Sequence, residues 1–234
     1  MDPSITEAEP PKRRRRTTTT PRGEEASAAQ IRLAQYRSQQ QARSNQRRAV
    51  TFFNRAELYR RYGKLTIALV EYRKAVDLQP SNAYYRYRLG DCFSAANEDE
   101  AAVVELEQSR NLCPSDGFYH FWLGNAYARI GRIDDAIGEI QLACLLSDSD
   151  AYYFVRLGVV YLQGGYLREA ASALRRAVDL DGNNASYHAL LGDACVRLGY
   201  EREALLHYRS AGRLDPYDTA YVENVRRISS VEIF

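Results

Sequence analysis

Eight residues between Tyr153 and Ala177 recur 34 positions later, each as itself or as a residue of similar character. Tyr153, Leu157, Gly158, Tyr161, Gly165, Ala170, Leu174 and Ala177 answer to Tyr187, Leu191, Gly192, Cys195, Gly199, Ala204, Tyr208 and Ala211. A fixed period of this size means one supersecondary unit copied in tandem. A unit so short cannot enclose a core alone, so the copies must stack. With Ala49 as position 1, the units run 49–82, 83–116, 117–150, 151–184 and 185–218.

The register assigns each position a task. Position 8 is small throughout (Ala56, Gly90, Gly124, Gly158, Gly192), and position 20 is always alanine (Ala68, Ala102, Ala136, Ala170, Ala204). Position 27 is also small: Ala75, Ser109, Ala143, Ala177 and Ala211. Gly63, Asn97, Gly131, Gly165 and Gly199 at position 15 suit the left-handed turn that ends a helix. Position 32 holds Pro80, Pro114, Asp148, Gly182 and Pro216, turn or terminating residues. The spacing predicts helix A over positions 1–14 and helix B over 18–31, each about 20 Å long at 1.5 Å per residue. Large side chains fill the space between: Tyr59, Phe93, Tyr127 and Tyr161 at position 11, and Tyr72, Leu106, Ile140, Leu174 and Tyr208 at position 24. The fold class is therefore all-α, a solenoid of antiparallel helix pairs.

This pattern resembles the tetratricopeptide repeat (TPR) family: a large residue at 4, Leu at 7, Gly or Ala at 8, Tyr at 11, Ala at 20 and 27, and Pro at 32. Five copies cover 49–218, with mild departures at Arg55, Cys195, Asp148 and Gly182. The resemblance implies a right-handed superhelix whose A helices line a concave groove through positions 2, 5, 6, 9, 12 and 13. Those positions place Phe53, Tyr84, Tyr87, Arg88, Asp91, Phe118, Phe121, Trp122, Asn125, Arg129, Tyr152 and Arg156 in a partner-binding groove. Aromatic rings interleaved with arginine are the side chains enriched at binding hot spots. Tyr87, Phe121 and Trp122 are the leading candidates for contact with a peptide or protein segment. Packing between neighbouring A helices is the competing use of these rings. The carboxylate clamp of chaperone-tail binders is not reproduced: no register of three units matches more than one of its five residue types.

The totals hide two electrostatic objects. Residues 1–48 carry a net charge of +6 and residues 49–234 a net −4. Residues 1–26 form a basic arm containing Lys12, Arg13, Arg14, Arg15 and Arg16, with prolines and no hydrophobic pattern, a composition expected to be disordered. Such a run can attract an acidic partner, nucleic acid, an anionic membrane or, in a eukaryote, an import receptor; the bland alternative is a solvating tail. No aromatic in residues 1–30 is available to stack on bases, which argues against sequence-specific nucleic-acid reading. Residues 27–48, rich in Ala, Gln and Arg, favour a helical lead-in that frays. Residues 219–234 read as a C-terminal capping helix and tail, with Val231, Ile233 and Phe234 apolar beyond it.

Enzyme signatures are missing: no phosphate loop, no G-x-S-x-G elbow, no H-E-x-x-H pair. His120 and His188 fall at position 4, where packing is the expected role. Cys92, Cys113, Cys144 and Cys195 form no C-x-x-C pair and suit reduced core thiols. No stretch approaches the roughly 18 apolar residues that span a bilayer. No cofactor is implied. The expectation is a non-enzymatic cytoplasmic scaffold or adaptor, nuclear if the basic run acts in a eukaryote. The alternative is a nucleic-acid- or anionic-membrane-associated factor whose main contact is the arm. An uncapped solenoid end is also a route to a homo-oligomer.

Overall fold

A computed structural model describes residues 21–231, and every element among them is an α helix. In chain order these are α1 (Pro21–Arg61), α2 (Leu65–Leu78), α3 (Ala83–Ala95), α4 (Asp99–Leu112), α5 (Gly117–Arg129), α6 (Ile133–Leu146), α7 (Ala151–Gly164), α8 (Leu167–Leu180), α9 (Ala185–Leu198), α10 (Glu201–Leu214) and α11 (Thr219–Val231). The chain divides into two compact units, residues 1–45 and 46–234. The Lys12–Arg16 run, Ile233 and Phe234 lie outside the described residues.

Within residues 1–45 the described part is helix, with Ile31, Leu33 and Tyr36 exposed. Pro21 to Ala26, expected in the disordered arm, belong to α1 instead. From Glu24 to Tyr62 there is no glycine or proline to stop a helix. The lead-in is accordingly continuous with the first A helix, with no break at Ala49, and α1 reaches 41 residues.

Residues 46–231 form the helical-repeat solenoid. Its A helices after the first each begin behind an Asn or Asp at position 34. The side chains of Asn82, Asp116, Asp150 and Asn184 accept hydrogen bonds from the backbone N–H of Tyr85, Phe118, Tyr152 and Ser186. Each such cap stabilises its helix start by about 1 kcal/mol. The A helices end at position 15 in the left-handed conformation, with φ of 60–80° at Gly63, Asn97, Gly131, Gly165 and Gly199. The next backbone N–H then bonds back to the carbonyl of position 11, as Arg132 does to Tyr127 at 2.9 Å. That turn is tight enough to start the B helices at position 17, one residue earlier than the hydrophobic spacing predicts. Four of the five B helices carry acids in their first turn, which complement the helix dipole.

Packing follows the small positions. All five position-20 alanines are fully buried. A Cβ added to Gly124 would lie 2.5 Å from Ile140 Cγ1 and 3.1 Å from the Ala136 carbonyl, so helices α5 and α6 meet only because position 8 is small. At position 27, Ser109 is fully buried and its Oγ donates to the Ala83 carbonyl at 2.7 Å. Buried side chains form three clusters centred on successive units rather than one centre, as a stacked array requires. Cys92, Cys144 and Cys195 are buried free thiols. Burial pushes Cys92 and Cys195 up to about 11 and Cys144 up to about 12, so they stay protonated.

Where position 4 is polar, in the second, third and fifth units, it is tied to position 23 of its own unit and to the carbonyl at position 32 of the preceding one. Arg86 pairs with Glu105 at 2.9 Å and donates to the Pro80 carbonyl; His120 meets Glu139 at 2.6 Å and the Pro114 carbonyl at 2.9 Å. In the fifth unit the acid is replaced, and His188 Nδ1 lies 3.1 Å from His207 Nδ1. Burial, then the His188 charge, lowers the His207 pKa, while Glu203 raises it and Arg175 lowers it. A base whose folded pKa is depressed takes up protons more readily when unfolded, so its contribution to stability is present above about pH 6.5 and is lost as pH falls. Acidification below pH 6.5 should destabilise the fifth unit, and His207→Gln should flatten that dependence. Thermal melts across pH 5 to 8, roughly the histidine range, measure it.

Candidate functional site

The A helices place their groove positions side by side. The contacts separate these side chains into two sets. Phe121 is buried, stacked on Tyr153 of the next A helix with ring centroids 4.5 Å apart and planes 16° apart. Phe53 repeats this on Tyr85 at 4.7 Å and 21°. Tyr87 is also buried, edge-on to Phe118 at 4.7 Å and beside Trp122 at 5.3 Å; burial, then Asp91, pushes its hydroxyl up to about 12. The expectation that the Tyr87 and Phe121 rings are open for contact is therefore corrected. Position 5 faces the neighbouring A helix closely enough that its ring becomes part of the joint between units.

Rings that remain accessible lie beside them. Tyr84 and Tyr152 are exposed, and Phe118 and Trp122 are half-buried. They connect through ring contacts: Phe53 to Tyr84, Tyr84 to Tyr87, Tyr87 to Phe118 and Trp122, Trp122 to Phe121, and Phe121 to Tyr152. The result is an aromatic strip across the first four units, ending where Val155 and Ser186 replace the rings.

The polar groove positions bridge units in pairs 31 residues apart. Arg88 Nη2 donates to Glu57 at 2.8 Å, Arg60 Nη2 to Asp91 at 2.8 Å, and Arg156 Nε to Asn125 Oδ1 at 2.7 Å. Tyr72 also donates its hydroxyl to Glu57, so two arginines and two carboxylates balance at the joint between the first two units. Arg129 grips Asp99 with Nε and Nη2 and reaches the Ser94 carbonyl. Asn125 donates to the Phe121 carbonyl of its own helix, which leaves its Oδ1 facing Arg156.

Sequence reasoning missed Arg60 and the cross-unit use of Glu57. The signal was present as charged residues 31 apart, from position 9 of one unit to position 6 of the next for Glu57 and Arg88, and from position 12 to position 9 for Arg60 and Asp91. The Lys12–Arg16 arm lies outside the described residues. Two depressions lie off the A-helix face, one between α10 and α11 around Tyr221 and Val222, the other between α7 and α8 around Phe154 and Tyr161. Among the described residues no group of three or more His, Cys, Asp or Glu could hold a metal ion, and no helix is long and apolar enough to cross a membrane.

Comparison with known proteins adds the lineage of this architecture. The family model described as "Tetratricopeptide repeat" matches residues 53–111 and 155–219. No curated protein matches the chain significantly. Among solved structures, MamA from Desulfovibrio magneticus is 21% identical with a TM-score of 0.68, covering 73% of this chain and 97% of that one. YrrB, described as a TPR protein with an unusual peptide-binding site, is 22% identical with a TM-score of 0.63, covering 75% and 90%. PilF from Pseudomonas aeruginosa is 18% identical with a TM-score of 0.67, covering 80% and 86%. At these identities the likeness is one of fold.

Proposed function

The chain belongs to the tetratricopeptide repeat family, and from that membership we propose that it is a protein-interaction scaffold that holds a peptide or protein segment against the A-helix face of its second to fourth units. The observation that carries this reading is the aromatic strip. Tyr84, Phe118, Trp122 and Tyr152 keep accessible surface although position 5 already supplies the rings that join the units. Accessible tyrosine and tryptophan bury large area at low entropic cost when a partner arrives. The peptide-binding site attributed to YrrB agrees with this use of the fold, without bearing on which residues act here.

The Lys12–Arg16 arm, in this reading, adds a second and salt-sensitive contact to an acidic protein. If the arm were the main contact instead, binding would come from charge pairing, which ions screen within about 10 Å at 0.1 M salt. Capture by the full chain is compared with capture by a chain whose Lys12–Arg16 are all serine, each at low and high salt. Removal of residues 1–48 would cut α1 and disturb the first unit, so substitution is the cleaner change. Groove binding predicts that the recovered partner survives both the substitution and the salt. Loss of the partner under either condition assigns the main contact to the arm.

A further inference from the structure

We propose that the partner segment is acidic, with a carboxylate that pairs with Arg156 and an apolar or aromatic side chain about three residues away that seats on Trp122. This deepens the groove reading and rests on it. The argument begins with charge balance. Position 6 of one unit meets position 9 of the unit before it, and where Arg88 does so it finds a carboxylate, Glu57, at 2.8 Å. Arg156 makes the same contact two units later and finds the neutral amide of Asn125. Among the described residues no carboxylate lies within ion-pairing distance of Arg156, and its Nη groups have no hydrogen-bond partner.

Arg156 is thus a half-buried guanidinium with its Nε–H satisfied and its two Nη groups free. Such a group fits a single carboxylate, which it can bind with two hydrogen bonds. Arg88 and Arg129, its counterparts along the face, already hold Glu57 and Asp99. One uncompensated cation beside rings is a poor match to a nucleic-acid strand, which needs a row of phosphate contacts. Neighbouring helices pack about 8–10 Å apart, and an extended chain advances about 3.3 Å per residue. A segment crossing from α7 to α5 therefore covers the gap from Arg156 to Trp122 in about three residues.

The test is selection of a random dodecapeptide library on the full chain, repeated on Asn125→Asp and Arg156→Gln. Asn125→Asp is near-isosteric and installs the internal counter-ion that Arg88 already has, so the fold should hold; a thermal melt checks this. The expected result is enrichment of peptides with Asp or Glu about three residues from Trp, Phe or Leu. The best of these should bind either variant about tenfold or more weakly, as loss of a charge-assisted pair requires. Their binding should also fall with Trp122→Ala. Peptides that depend on Trp122 but show no acid preference, or an acid preference that Asn125→Asp leaves intact, overturn this inference while the groove reading stands. No enrichment that depends on Trp122 overturns both. Binding of oligouridylate that Arg156→Gln abolishes, in place of peptide, also overturns it.

Discussion

Truncating Phe121 to alanine is expected to destabilise the solenoid by about 3–5 kcal/mol, the usual loss for a large aromatic removed from a packed interior. Phe121 is buried against Tyr153 by stacking and touches Trp122 and Tyr152 at centroid distances of 5.7 and 5.5 Å. It therefore sits at the joint between the third and fourth units, where a cavity cannot close without moving one helix pair against the next. Domains are stable by only about 5–15 kcal/mol, so this is a large share of the total. Thermal denaturation should show a midpoint lower by about 10 °C. Tyr152→Ala, on the same strip but exposed, should move it by no more than a few degrees. A Phe121→Ala midpoint equal to that of the parent chain would mean that position 5 is not a structural joint. Any loss of partner by the Phe121→Ala chain is thus to be read as loss of fold.

The division of the aromatics into joints and contacts was not legible in the sequence. Position 2 and position 5 both carry rings, and family register assigns both to the groove. What separates them is the lateral reach to position 3 of the following unit, where Tyr85 and Tyr153 stack, and this depends on helix spacing that no single-unit pattern encodes. The repeat itself was legible because Gly124 and Ala136 report a steric demand that only small residues meet. The Asn and Asp caps at position 34 emerged only with the helix starts, where Asn82, Asp116, Asp150 and Asn184 each precede an A helix by one residue. The lead-in, expected as a helix that frays, runs unbroken into the first A helix for a local reason: an Ala, Gln and Arg stretch without glycine or proline has nothing to end a helix. At the candidate site, Arg88, Arg129 and Arg156 were found from the groove register, whereas Arg60 was not. Their pairing, and the one left without a carboxylate, required the contacts between units.

Trp122 is the side chain on which the functional reading depends most. It is half-buried, contacts Tyr87, Phe118 and Phe121 through its ring, and lies one unit away from Arg156. A ring held on three sides loses little freedom when a partner covers it, which is the situation of a binding hot spot. Trp122→Ala should weaken the captured segment by about 2 kcal/mol or more, close to 30-fold. Leu145 provides the control, an exposed apolar residue of similar kind on a B helix, 76% accessible. The direct measurement is the affinity of the segment for Trp122→Ala and Leu145→Ala, each first shown by its melt to be folded. A loss of about 30-fold for Trp122→Ala with Leu145→Ala within about twofold of the parent is the predicted result. Unchanged affinity for a folded Trp122→Ala, or a loss confined to Leu145→Ala, would contradict the assignment of partner binding to the A-helix face.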